Sequence, residues 1–196
     1  MQYDIFKKEL MACRVCRERF GHEPRPIVHG SHKAPIVQIS QAPSIHVHNT
    51  GLPFNDKSGK KLRHEWYEIS RETFYDPHMF YITSVGKCYP GKNKSGGDKK
   101  PPKICAQLWL EKELDLLQND LYVIIGKSAS EYFFGDIPLK DLIMKDHTIR
   151  GKPAVVLPHP SPLNVKMFKD NPDFFSKRFP QIRKRVHDVL INHTKR

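Results

Sequence analysis

With 196 residues, the chain is long enough to bury a proper core and short enough to be a single domain spanning 1–196. Lysine and arginine exceed aspartate and glutamate by 33 − 21 = +12, and the isoelectric point is near 9.6, so a polyanion, nucleic acid first, is the expected partner. No apolar run approaches the ~20 residues of a membrane-spanning helix, and the N-terminal MQYDIFKKELMAC has acids at positions 4 and 9 but no apolar signal core. The expectation is therefore a cytosolic monomer with no membrane partner.

In chain order, residues 3–20 have helix-like spacing, with Ile5, Leu10 and Met11 as the apolar positions, and they end in Cys13-Arg-Val-Cys16. Residues 21–34 are rich in His, Pro and Gly and read as irregular. Ile36, Val37 and Ile39 form a short apolar strand of the kind buried on both faces of a parallel sheet. A polar loop, SQAPSIHVHNTGLPFNDKSG at 40–59, follows it. A helix from Lys60 to Ser70 then buries Leu62, Trp66, Tyr67 and Ile69. Met79–Thr83 is a second strand, rich in β-branched and aromatic residues. Residues 89–103, YPGKNKSGGDKKPPK, are too polar to make a core. A helix with Leu110, Leu114 and Leu117 on one side leads to the strand Leu121–Ile125. A short helix ends at Gly135, a C-cap residue. Gly126-Lys127-Ser128 is not a phosphate loop, because the first glycine of that pattern would fall at Leu121. Ala154–Leu157 is the fourth strand. A basic helix from about 173 to 196 closes the chain, with Phe179, Ile182, Val186 and Val189 on one side. Strands separated by helices in this order predict an α/β fold: a three-layer α/β/α sandwich around a four-stranded, mostly parallel sheet.

Three pieces carry chemistry. The first is the loop at 40–59, which leaves a strand at the carboxyl edge of the sheet, where open α/β folds bind ligands. It offers Gln41, Ser44, His46, His48, Asn49 and Asp56 as polar groups and Phe54 as an aromatic plate. The second is Pro158-His159-Pro160-Ser161-Pro162-Leu163-Asn164, which follows the fourth strand and puts a histidine at the same edge on a path fixed by three prolines. The third is the cysteine set. A reducing compartment disfavours disulfides. Cys13 and Cys16 make one knuckle, while Cys88 and Cys105 are separated by 16 residues. Zinc sites more often pair two close knuckles, so this spread leans towards an iron–sulfur cluster, with zinc as the alternative. The lysine-rich loop between Cys88 and Cys105 would be tethered by such a site and could lie along phosphates.

Together these pieces resemble the uracil-DNA glycosylase superfamily, and most closely its iron–sulfur branch, family 4. That branch has a motif of the form GEAPGxxEDxxGxPFxGxxG. Residues 40–59 align to it without a gap, matching at Ala42, Pro43, Gly51, Pro53, Phe54 and Gly59. His159–Asn164, HPSPLN, is similar to the HPSPLS of the main uracil-DNA glycosylase family, and the four cysteines fall where family 4 places its 4Fe–4S ligands.

The resemblance implies a monofunctional glycosylase that hydrolyses the N-glycosidic bond of uracil or another deaminated or damaged base in DNA. Phe54 would stack on the extruded base, the backbone at Gln41 and Ala42 would contact it and help place water, and His159 would donate to its O2. Leu163 would fill the hole left in the duplex, with Pro160, Ser161, Asn164 and Lys87 as further DNA contacts. The sequence also departs from the pattern. The glutamate of the leading GE is Gln41, its ED pair is Val47-His48, and the asparagine that reads uracil's edge is Ser84, which cannot supply an amide's paired donor and acceptor. Asp56 stands at a family glycine. Gln41, Asp56, His46 and His48 are then the candidates for handling water. The alternative function is a glycosylase-like DNA-binding protein with weak or no turnover, or one that traps uracil-DNA covalently through His46 or His48.

Overall fold

The structure, a computed structural model, describes residues 2–161 and 164–195. Helix α1 (Gln2–Met11) and the short α2 (Arg17–Phe20) precede β1 (Ile36–Ser40). Helices α3 (Ile45–Thr50), α4 (Lys57–Lys61) and α5 (Arg71–Tyr75) separate β1 from β2 (Phe80–Ser84). Helices α6 (Lys103–Cys105) and α7 (Glu111–Leu116) lead to β3 (Leu121–Ile125). After α8 (Lys127–Phe134) and α9 (Leu139–Leu142) come β4 (His147–Ile149) and β5 (Lys152–Leu157), then α10 (Val165–Asp170) and α11 (Phe179–Thr194). Wider helical turns continue α4 through Leu62–Tyr67, join α6 to α7 through Ala106–Leu110, and lead into α11 through Phe174–Arg178.

The sheet has five strands in the order β2-β1-β3-β5-β4, one more than the sequence predicts. The four expected strands are present and mutually parallel, and β4 adds to the edge antiparallel to β5. His147-Thr148-Ile149 is too short to show an apolar period. It becomes a strand because the turn at Arg150 and Gly151, both with positive φ, folds it back on β5.

Alternation along the strands decides what covers each face. Gln38 and Phe80 point to one side, where Tyr67 donates to Gln38 at 2.8 Å and stacks on Phe80, with α11 behind it. Tyr81 and Thr83 point to the other, where both donate to Glu113 of α7, and Tyr3 of α1 packs on Tyr81. Helices therefore lie on both faces, and β1, β2 and β3 are buried almost throughout. Helix α1 is turned relative to the sequence reading. Tyr3, Phe6 and Leu10 are buried, whereas Ile5 and Met11 are 57% and 42% exposed.

Candidate active site

The carboxyl ends of β1, β2 and β5 open into one cavity of about 390 Å³. Its walls come from the chain after β1 (Ser40–Ser44), the end of β2 (Ile82–Ser84), the Pro53–Asp56 turn, and His159 beyond β5. Parallel strands put all their carboxyl ends at one edge, and the chain leaves β1 where strand order reverses between β2 and β3, the usual place for a ligand crevice. Gln41, Ala42, Phe54, Asp56, Ser84 and His159, all singled out from the sequence, line this one cavity.

The stretch at 40–59 is not a continuous loop. Ser44 caps a helical turn by accepting from the Val47 amide at 3.3 Å, and Gly51 ends it in the left-handed conformation with its N–H on the Val47 carbonyl. Ile, Val, His, Asn and Thr are weak helix formers, so only the cap residues betray α3. That helix carries His46 and His48 out of the cavity wall. Arg25 reaches the carbonyls of His48 and Asn49, and the His48 ring packs against His22 and Tyr89. Burial, followed by His22 and Arg25, lowers the His48 pKa. Among the 40–59 histidines, neither lines the cavity.

Phe54 is held by residues the motif does not advertise. Its φ is +54°, a left-handed conformation that costs a non-glycine residue energy and persists only when neighbours fix it. Arg63, 4% exposed, donates to the Phe54 carbonyl at 2.8 Å and to Tyr75 Oη at 3.2 Å, while Tyr75 donates to the Pro53 carbonyl at 2.9 Å. Gly59 closes the other side: a Cβ there would stand 1.6 Å from the Phe54 oxygen. Asp56 Oδ1 caps α4 through the Gly59 amide at 2.9 Å. The motif's spacing is thus the spacing of one turn that presents a ring, and Arg63 completes it from the helix that follows.

His159 is oriented by its own loop. Its Nδ1 accepts from the Ser161 amide at 3.2 Å, which places the proton of the neutral ring on Nε2. Asn164 Nδ2 donates to the His159 carbonyl at 2.7 Å, so this side chain buttresses the turn. Pro160 is buried, and Gly126, with φ +84°, lies in van der Waals reach of the His159 side chain. Burial lowers the His159 pKa, with Asp56 and Asp98 opposing through their charge. The ring is therefore neutral at pH 7, a donor rather than a cation. Leu163, the expected wedge, and Pro162 lie outside the described residues.

Ser84 Oγ donates to the Gly86 carbonyl at 2.7 Å, so its hydroxyl can only accept from a ligand. Lys87 is not a phosphate contact. It is 1% exposed, and its ammonium pairs with Glu113 and bonds Thr83 Oγ1 and the Ser84 carbonyl, both at 2.7 Å. The short spacing from Thr83 to Lys87 turns the chain back under β2 and carries the side chain inward. The lysine-rich segment is a stapled turn. Asn93 Oδ1 accepts from Ser95 and Gly97, a Lys92–Asp98 bridge closes it, and Gln41 Nε2 holds it by the Lys99 carbonyl at 3.2 Å. Asp98, which nothing in the sequence pattern marked, thereby joins the cavity wall.

The four cysteines come together behind this edge. Cys13, Cys16, Cys88 and Cys105 line one small, largely apolar cavity with Pro24, Pro26, Ile104 and Trp109. Burial and the other three thiols push Cys88 up to about 12. The Lys87 amide points at Cys105 Sγ from 3.2 Å, and the Trp109 indole N–H points at Cys13 Sγ from 3.3 Å. A soft, all-sulfur donor set with N–H groups aimed at sulfur fits a thiolate-bound metal centre. Among the described residues, no three His, Cys, Asp or Glu side chains converge tightly enough for a single ion.

A histidine with its proton on Nε2, an aromatic ring on a positive-φ turn and a sheet-edge cavity thus come together in one place. The chain belongs to the uracil DNA glycosylase superfamily, whose family model matches residues 27–183. It is 28% identical over 130 residues to the type-4 uracil-DNA glycosylase of Sulfurisphaera tokodaii, covering 65% of this chain and 56% of that relative. It is 29% identical over 136 residues to the type-4 enzyme of Archaeoglobus fulgidus, covering 67% and 63%. It is 26% identical over 193 residues to the type-5 uracil-DNA glycosylase of Pyrobaculum aerophilum, covering 83% and 84%. The chain thus spans less than two-thirds of the length of these two type-4 relatives.

Proposed function

We propose that this protein is a single-domain, monomeric DNA glycosylase that hydrolyses the N-glycosidic bond of uracil or another deaminated or damaged base and leaves an abasic site. The observation that carries this reading is the neutral Nε2–H of His159, fixed by the Ser161 amide at the edge of a cavity walled by Phe54. Breaking the bond separates a cationic sugar from an anionic base. A preorganised donor at the developing anion supplies stabilisation of several kcal/mol, and a ring already neutral has no proton to lose first. Phe54 takes the extruded base on its face. Stacking of this kind is worth about 1–3 kcal/mol, enough to offset much of the cost of flipping. Gln41 and Ala42 contact the base from the β1 side, and Ser84 accepts from it. Ser161 would contact the strand, Leu163 would fill the hole left by the flipped base, and the net charge of +12 favours DNA generally.

Cys13, Cys16, Cys88 and Cys105 would hold a 4Fe–4S cluster, with zinc as the other occupant the thiols could take. When bound, the cluster supplies a cross-link between the N-terminal segment and the β2–α6 segment. No helix among the described residues is long and apolar enough to cross a membrane.

The spent hydroxyl of Ser84 favours a second reading, a protein that grips lesion-bearing DNA and turns over poorly, because uracil's O4 finds no amide donor there. One panel separates the two. Single- and double-stranded oligonucleotides carrying uracil, hypoxanthine, xanthine or normal bases are incubated with the protein and then treated with alkali. Scission at a lesion that disappears in His159→Ala supports the enzyme. A gel shift without scission supports the binder, and a shift resistant to detergent supports a covalent trap.

A further inference from the structure

The cavity has two carboxylates, and they are differently engaged. Asp56 belongs to the 40–59 motif, but its Oδ1 is tied to the Gly59 amide as the cap of α4. Asp98 comes from the lysine-rich turn, a segment that composition marks as solvated. It reaches the cavity because the turn is closed on itself and fastened to the motif. Lys92 and Asp98 pair across the turn, with Nζ 2.8 Å from Oδ1, and the Lys99 amide bonds the Gly91 carbonyl at 2.9 Å. The Gln41 side chain holds the Lys99 carbonyl, and Pro101 packs so closely on Gly86 that a Cβ there would stand 2.1 Å away. Asp98 Oδ1 is buried and, although Lys92 Nζ lies 2.8 Å away, makes no hydrogen bond among the described residues. Asp98 and Asp56 both lie near enough to His159 to act on it by charge. The groups facing Asp98 are thus Lys92 on its own turn, with His159 and Asp56 on the other elements of the wall.

We propose that Asp98 is the catalytic carboxylate of this site: it holds the attacking water and takes its proton. The proposal rests on the glycosylase reading above. The position in the β1 motif where a carboxylate could stand is Gln41, whose amide instead grips the turn that brings Asp98 in. Function and support have exchanged places: an acid delivered by a distant loop replaces one built into the strand end. In the step itself the C1′–N bond breaks and its electron pair leaves with the base, where the His159 Nε2–H stabilises the anion. The water oxygen bonds to C1′, and the water proton passes to Asp98. That proton then goes to solvent, and the base anion takes one from solvent, so that one water is consumed for one base and one abasic sugar.

The test is single-turnover cleavage of the lesion oligonucleotide that the wild-type protein cleaves, with Asp98→Asn, Asp98→Ala and Asp56→Asn. A general base contributes about 10²–10⁴-fold. Asp98→Asn is expected to slow cleavage by at least about 100-fold while DNA affinity changes by less than threefold on the order of a neutral substitution. It should also abolish the low-pH limb, in which the wild-type rate rises tenfold per pH unit as a carboxylate ionises. Added formate should restore part of the rate to Asp98→Ala, which loss of a purely structural contact would not allow. Asp56→Asn should cost less than Asp98→Asn and keep the low-pH limb. An Asp98→Asn protein of near wild-type rate, absence of formate rescue, or loss of the limb in Asp56→Asn instead would each overturn the assignment and leave the glycosylase reading intact. A wild-type protein that cleaves no lesion refutes both.

Discussion

Replacing Lys87 by methionine tests the inward course of the chain after β2. The ammonium is 1% exposed, and it satisfies Glu113, itself fully buried, together with Thr83 and the Ser84 carbonyl. Methionine fills much the same volume but leaves a buried carboxylate without its counter-charge, and breaking such a pair from one side costs about 3–5 kcal/mol. For a chain of this size each kcal/mol lowers the melting temperature by about 2–4 °C, so Lys87→Met should melt about 6–20 °C lower. Adding Glu113→Gln removes the charge while keeping an oxygen for Tyr81 and Thr83. The double variant should therefore be more stable than Lys87→Met alone, with a coupling of about 2 kcal/mol in urea titrations. DNA binding discriminates the alternative. A phosphate contact would lower the slope of log affinity against log salt by about 0.9, whereas a buried lysine leaves it unchanged. A variant of wild-type stability with a shallower salt slope would refute the buried pair.

Gly59→Ala should destabilise the protein by at least about 2 kcal/mol, as overpacking against fixed backbone does, and slow cleavage about 5–150-fold through loss of Phe54 stacking. Urea melts and single-turnover rates measure the two effects, and a silent substitution contradicts the clamp. The His159 pKa is lowered on folding, so between its folded value and the unfolded value of about 6.5 the unfolded chain binds more protons. The contribution is fully present above about pH 6.5 and is lost as pH falls through the folded pKa. Melts of wild type and His159→Gln at pH 7.5 and 5.5 should show a smaller acid loss in the variant, and equal losses would contradict the shift. Protein purified without oxygen should carry iron and inorganic sulfide with broad visible absorption that bleaches on reduction, and Cys88→Ala should lose it. Colourless protein with stoichiometric zinc would contradict the cluster.

Much of this was legible in the chain. β3 is Leu121–Ile125, as its unbroken apolar run predicts, and the cavity residues of the 40–59 motif fall together because the chain leaving β1 and the Pro53–Asp56 turn wall the same cavity. What escaped was of two kinds. Short elements without apolar period, such as β4 and α3, are set by neighbours and caps rather than by their own residues. Long-range polar contacts leave no local trace: the inward Lys87, the Arg63 clamp under Phe54 and the arrival of Asp98 all depend on partners distant in sequence. The histidines at 46 and 48 show the reverse error. A motif locates a cavity, but helical geometry decides which of its side chains enter it.

Base release is the reaction's defining product. Wild-type protein in excess over a duplex with one uracil, or with hypoxanthine or xanthine in its place, should liberate the free base in amounts equal to the abasic sites formed, read by mass spectrometry. His159→Ala should liberate at least about 100-fold less in the same time, in line with the loss of a single preorganised donor. Tight binding of every lesion duplex with no free base from any of them would contradict the central claim.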